Sequence, residues 1–156
     1  MAMSEHRHLH RLPITLPTEV TIIYFVTCCT HNRRLLFTTE PVVRLALDEL
    51  ARSRDRLKWW VGGVVFMPDH VHLFCSPPNR HEHDLSRFIG AWRAAARRQV
   101  KQTGLAGPFW QKSFFDHILR SDESYASKWE YVRQNPERAG VRDFKRWFEL
   151  DHLPLR

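Results

Sequence analysis

A chain of 156 residues with 43% hydrophobic content can bury one sizeable core unaided, which fits one domain. Lys and Arg number 24 against 17 acidic residues, a net charge of +7 with a sequence pI near 9.8, and this balance favours a polyanionic partner through phosphate contact and counterion release. Three cysteines, Cys28, Cys29 and Cys75, include no CxxC pair and leave an odd count, which excludes a disulfide framework and a zinc ribbon. No run reaches the apolar length that spans a bilayer, and residues 1–13 lack a signal peptide's apolar core, so a cytoplasmic protein with reduced thiols is expected.

Residues 1–19, with Pro13, Pro17 and the HRHLH run, read as a flexible arm ahead of a single domain over 20–156. Residues 20–30 (VTIIYFVTCCT) are rich in β-branched and aromatic side chains, which suit a buried strand. After a polar HNRR turn, Pro41 opens a helix in which Val42, Leu45, Ala46, Glu49 and Leu50 keep amphipathic spacing to about Ser53. Residues 57–66 (LKWWVGGVVF) and 70–76 (HVHLFCS) flank Phe66-Met67-Pro68-Asp69 and read as a hairpin.

Residues 84–102 hold no proline, and Leu85, Phe88, Ile89, Trp92 and Ala96 recur at helical spacing opposite Arg87, Arg93, Arg97, Arg98 and Lys101, which predicts a second amphipathic helix. Gly104 and Gly107-Pro108 close it, and residues 109–119 (FWQKSFFDHIL) read as a fourth strand. Ser121 with Asp122 and Glu123 supplies an N-cap and an acidic first turn. The third helix is expected to run to about Asn135, before Pro136 and Gly140. The order β-α-β-β-α-β-α begins with a split βαβ arrangement, an α+β fold with an antiparallel sheet and helices on one face.

The most informative segment is His70-Val71-His72, directly after Met67-Pro68-Asp69. On a strand, residues i and i+2 project to one face roughly 7 Å apart, so both imidazoles can converge on one cation while Val71 points away. Cys75 falls on the other face, against a His-His-Cys zinc site. An ordinary half-buried strand would show the same spacing. Near the end of the third helix, Tyr131 and Asn135 are four residues apart and share a helical face, so a phenol and an amide oxygen can enter one site. Taken alone, they also suit a core residue and a cap before proline. Together, a cation on His70, His72 and an amide oxygen could polarise a phosphodiester while Tyr131 attacks phosphorus.

The segments VTCCTHNRRLLF, GGVVFMPDHVHLF, FWQKSFFDHILRSDESY and KWEYVRQNPERAGV resemble those of the REP-associated tyrosine transposases, relatives of the HUH transposases that move single DNA strands. The resemblance spans residues 20–145. It implies a ferredoxin-like fold, with His70 and His72 as metal ligands, Asn135 as the third ligand, Tyr131 as the nucleophile and Mg²⁺ or Mn²⁺ as the ion. It also implies a hairpin DNA partner whose adjoining single strand is cleaved and rejoined through a 5′-phosphotyrosine. Glu137 stands where relatives often carry an apolar residue. Both dimers that exchange the tyrosine helix and lone monomers suit the resemblance.

Arg87, Arg93, Arg97, Arg98 and Lys101, with Arg133, Arg138, Arg142, Lys145 and Arg146 near the end, are the candidate DNA-contact residues; a merely solvated basic face is the plainer reading. Trp92 or Trp129 could stack on bases, although a core role suits Trp92 better. His117 and Asp116 could orient DNA or serve only structure, and they stand outside the catalytic set. The competing function is a non-catalytic hairpin-binding protein of the same fold, but no aromatic-glycine RNA-binding strand motif is present.

Overall fold

The computed structural model describes residues 22–79, 84–119 and 122–152, together with the backbone of residues 4–6. In chain order the elements are β1 (Ser4–His6), β2 (Ile23–Cys29), α1 (Glu40–Leu57), β3 (Trp60–Met67), β4 (His70–Ser76), α2 (Leu85–Lys101), β5 (Phe114–Leu119), α3 (Asp122–Val132), α4 (Asn135–Arg138) and β6 (Trp147–Glu149). The sheet order is β1-β5-β2-β4-β3-β6, with every pairing antiparallel. The four central strands with α1 and α2 form the ferredoxin-like βαββαβ core.

Strand β2 is apolar on both faces because both faces are covered. Tyr24, Val26 and Cys28 join the larger core beneath α1 and α2, with Val71, Leu73 and Cys75 of β4. Ile23 and Phe25 point the other way, into a smaller core with Phe74, Tyr125, Trp129 and Val132. Helices α1 and α2 therefore share one face, and α3 covers the opposite one. All three cysteines are buried, and none forms a disulfide.

Pro41 sits in the first turn of α1, where a missing amide hydrogen costs nothing. The helix passes the expected stop at Ser53 and ends with Lys58 in the left-handed region, at φ 61°; residues 54–57 contain no breaker, so propensity carries it one turn further. Asp84 caps α2 by accepting from the Arg87 amide at 3.0 Å, and Trp59 stacks on Phe88 at 4.6 Å.

Other expectations change as well. The arm reading for residues 1–19 misses β1, whose backbone pairs with β5; the rest of that arm, like Ser121, lies outside the described residues. The fourth strand begins at Phe114 rather than Phe109, because the preceding segment is held instead by an isolated Thr30–Trp110 bridge. Strand β6 had no sequence expectation at all. The third helix stops at Val132, and after a turn at Arg133–Gln134 the short α4 starts at Asn135 with Pro136 in its first turn, because Pro136 has no amide hydrogen to offer the Val132 carbonyl four residues back and its ring crowds that carbonyl. Tyr131 and Asn135 are thus not one turn apart on a continuous helix.

Two glycines make the seat for α3. The β3–β4 register shifts between Val61 and Val64, and a Cβ on Gly63 would lie 2.3 Å from the Trp129 ring, while one on Gly62 would lie 2.5 Å from the Tyr125 hydroxyl. On the other flank, fully buried Arg146 donates to the Phe37 and Phe66 carbonyls at 2.9 and 3.0 Å and pairs with Asp143, which fastens the loop before α1 to β3. Gly63→Ala should cost about 1–3 kcal/mol from overpacking, whereas Gly90→Ala, exposed on α2 with nothing within 4 Å, should gain about 0.5–1 kcal/mol. Urea denaturation of the two variants checks the contrast.

Candidate metal and nucleophile site

Strand β4 lies between β2 and β3, with Thr27 and Val65 opposite His72 and Cys29 and Met67 opposite His70. This register puts both imidazoles on the α3 face, as strand alternation predicts. Their ring centroids are 4.7 Å apart and nearly perpendicular. Each ring is held through Nδ1: His70 contacts Asp69 Oδ1 at 2.7 Å, and His72 contacts Thr27 Oγ1 at 2.8 Å. With Nδ1 protonated and donating, Nε2 of each ring keeps its lone pair for a cation. Phe25 stacks on His72 at 5.2 Å and fixes the ring plane.

Burial pushes His72 down to about 3, with the His70, Lys128 and Arg33 charges acting in the same direction. Burial also lowers His70, against the upward pull of Asp69. Both rings are therefore neutral at physiological pH, the form a metal requires. For Asp69, burial works upward, but the hydrogen bonds from Arg33 and His70 outweigh it and hold the carboxyl below its ordinary range. Burial raises the Cys29 thiol, which makes it a poor nucleophile.

The pair suits a cation as a two-nitrogen half-site. Among the described residues no group of three or more His, Cys, Asp or Glu is placed to hold an ion. Asn135 does not fill that role in this arrangement, since its Oδ1 accepts from Arg138 Nη2. Arg138 also donates to the Tyr131 carbonyl at 2.8 Å and places its guanidinium 4.0 Å from the Tyr131 ring centre. The phenol is 61% exposed. Among the described residues, no hydrogen bond or ring contact joins Tyr131 or Asn135 to either imidazole. Lys128, one turn before Tyr131, reaches toward the pair instead: its Nζ lies 5.0 Å from the Phe25 ring centre, and its charge acts on His72.

Of the other two tyrosines, Tyr24 is buried on the α1/α2 side. Tyr125 is buried too, and its hydroxyl accepts from the Gly63 amide at 3.0 Å; burial, foremost, pushes its pKa up to about 12. Tyr131 is thus the tyrosine exposed for chemistry.

The basic candidates divide between two faces. Arg87, Arg97, Arg98 and Lys101 are exposed on α2, in the helix layer behind the sheet. Arg93 is not a free phosphate contact: its side chain donates to the Gln111 carbonyl and lies over Trp110, whose indole donates to the Arg93 carbonyl at 3.0 Å, so it braces the segment before β5. Arg133 and Arg138 belong to the α3 side, where Arg133 lies over Trp147 at 5.3 Å and pairs with Glu130 at 2.8 Å. Both Trp92 and Trp129 are core residues. Asp116 pairs across from Val26 and His117 from Phe25, so alternation turns Asp116 to the α1/α2 side and His117 to the face that carries the histidine pair.

Sequence reasoning missed Thr27, Arg33 and Lys128. Thr27 and Arg33 meet the histidines only through the β2–β4 pairing and the loop after β2, and neither is a local pattern. Lys128 had a signal, its position one turn before Tyr131.

A model of one protein family, described as "Transposase IS200 like", matches residues 18–135. The chain belongs to the IS200-like transposase family. Within that family it is similar to a Haemophilus influenzae protein whose curated name assigns it provisionally to the REP-associated tyrosine transposases, at 22% identity over 80% of this chain and 76% of the relative. A solved structure of a REP-associated tyrosine transposase bound to a REP hairpin shares the fold with a TM-score of 0.61 and 21% identity, over 90% of this chain and 76% of the other. A crystal structure described as that of a transposase from Deinococcus radiodurans R1 aligns with a TM-score of 0.55 and 19% identity, over 81% of this chain and 97% of the other. No helix among the described residues of this family member is long and apolar enough to cross a membrane.

The tyrosines of this transposase-family chain should separate by stability. Tyr125→Phe leaves the buried Gly63 amide without its acceptor and should cost about 1–3 kcal/mol, while Tyr131→Phe, at an exposed ring, should leave the thermal midpoint within a degree or two, on the order expected for a surface change. Differential scanning calorimetry measures both.

Proposed function

We propose that this protein is a divalent-metal-dependent endonuclease and transposase that cleaves and rejoins a DNA strand beside a hairpin, with Tyr131 as nucleophile. The observation that carries the reading is the His70/His72 pair, tethered through both Nδ1 atoms, on the sheet face covered by the helix that bears Tyr131. Simple DNA binding has no need of two imidazoles with Nε2 left for an ion.

In this reading His70 and His72 hold Mg²⁺ or Mn²⁺, with Asn135 as third ligand once its amide is released from Arg138. The bound ion would polarise the scissile phosphate and offset charge in the transition state. Tyr131 Oη loses its proton and bonds to phosphorus, while the bond to O3′ breaks and the 3′ oxygen takes up a proton. The products are a 5′-phosphotyrosyl protein and a free 3′-hydroxyl, and the retained bond energy allows a later 3′-hydroxyl to reverse the step without ATP. Lys128 and Arg138 set positive charge beside the phenol's approach, which favours the phosphate. Arg133 and Arg138 contact backbone phosphates near the site, and Arg87, Arg97, Arg98 and Lys101 contact phosphates that reach the opposite layer.

With a labelled hairpin oligonucleotide carrying a single-stranded flank and Mn²⁺, the wild-type protein should give a retarded covalent band on a denaturing gel. Tyr131→Phe should abolish that band, and His70→Ala or His72→Ala should reduce it by at least about 100-fold, within the range for loss of an essential catalytic group, with hairpin binding kept. Binding without any wild-type adduct would leave a non-catalytic hairpin-binding protein.

A further inference from the structure

We infer that Arg33 is a positioning residue for His70, acting through Asp69, and that the turn at residues 30–34 exists to deliver it. The inference rests on the reading of the histidine pair as a metal half-site. Asn32 and Arg33 both adopt positive φ, at 50° and 55°, a region that consecutive non-glycine residues seldom occupy and that persists only where the surroundings over-determine it.

The surroundings here are specific. Thr30 clamps the turn, with its amide and its hydroxyl both donating to the Asp69 carbonyl at 3.0 Å and the hydroxyl lying 2.6 Å from the Arg34 carbonyl. The Phe37 amide donates to the Pro68 carbonyl at 3.0 Å. The loop after β2 is thereby stapled to the β3–β4 turn. From the strained position the Arg33 guanidinium spreads over three neighbours: Nε donates to Asp69 Oδ2 at 2.8 Å, Nη1 to Cys29 Sγ at 3.3 Å, and Nη2 lies 3.3 Å from His70 Nδ1.

Asp69 consequently has one oxygen for each partner, Oδ2 for Arg33 and Oδ1 for His70. With Oδ2 anchored, the carboxylate cannot rotate away from His70, so the imidazole keeps its proton on Nδ1 and presents Nε2. A planar guanidinium reaches the carboxylate through Nε and the thiol through Nη1 together; an ammonium supplies the charge without the fork. His72 has its own Nδ1 partner in Thr27.

The test compares wild type with Arg33→Gln, Arg33→Lys and Asp69→Asn, using imidazole nitrogen NMR on the metal-free protein and Mn²⁺ titration followed by electron paramagnetic resonance, without DNA. Arg33→Gln and Asp69→Asn should each mix the His70 tautomers, leave His72 unchanged and weaken Mn²⁺ binding by about tenfold or more, the usual effect of losing an outer-shell partner. Arg33→Lys should fall between. Unchanged His70 tautomer and Mn²⁺ affinity in folded Arg33→Gln would overturn the inference, as would weaker hairpin binding with unaltered Mn²⁺ affinity. If wild type takes up no Mn²⁺ while the His70 tautomer still follows Arg33, the metal reading fails and the brace stands.

Discussion

Strand β4, hydrogen-bonded on both sides, is the constraint from which the rest of the site follows. Its pairing with β2 and β3 fixes which residues stand beside each imidazole, and because side chains alternate, a slip of one residue would turn His70 and His72 into the α1/α2 core and bring Val71 to the surface of the other face. Burial of Val71, Leu73 and Cys75 under the two helices prevents that slip. Core packing on one face of the sheet thus holds the register of the histidine pair on the other.

The opposite face is covered more thinly. Its core consists largely of aromatic rings, with Phe74 against Tyr125 and Trp129 at 5.0 and 6.1 Å, and it can receive α3 only because Gly62 and Gly63 leave room for those rings. The helix is thus anchored by its inward residues, and the neighbouring positions fall to other uses. Lys128 leans toward Phe25 and His72, and Tyr131 turns outward under Arg138. The phenol thus stands exposed on a firmly seated helix.

Positive charge is not spread evenly over this molecule. One group lies on α2, behind the sheet, and another gathers where α3, α4 and β6 meet, around a cavity of about 370 Å³ lined by Arg133, Arg142, Lys145 and Trp147 among others. Two arginines that look equivalent in composition are structural: Arg146 is enclosed among backbone carbonyls, and Arg93 holds the approach to β5. Net charge forecasts a polyanionic partner but cannot tell such buried cations from those free to meet phosphate.

Local patterns sufficed for much of the fold. The βαββαβ order, Pro41 at the helix start and the shared face of His70 and His72 all follow from periodicity, helix-start preference and strand alternation, which act within a few residues. The motifs around His70 and Tyr131 also carried the family. Beyond that range the sequence was silent or misleading. Strands β1 and β6 are three residues each, too short for a periodic signal, and Pro136 ends the helical run that a simple count of four carried from Tyr131 to Asn135. Thr27 and Arg33 reach the histidines from 45 and 37 positions away along the chain. Such contacts arise when strands pair and loops are stapled together, so the sequence alone determined which groups could carry the chemistry, and only tertiary packing decided which neighbours hold them and which way Tyr131 and Asn135 turn.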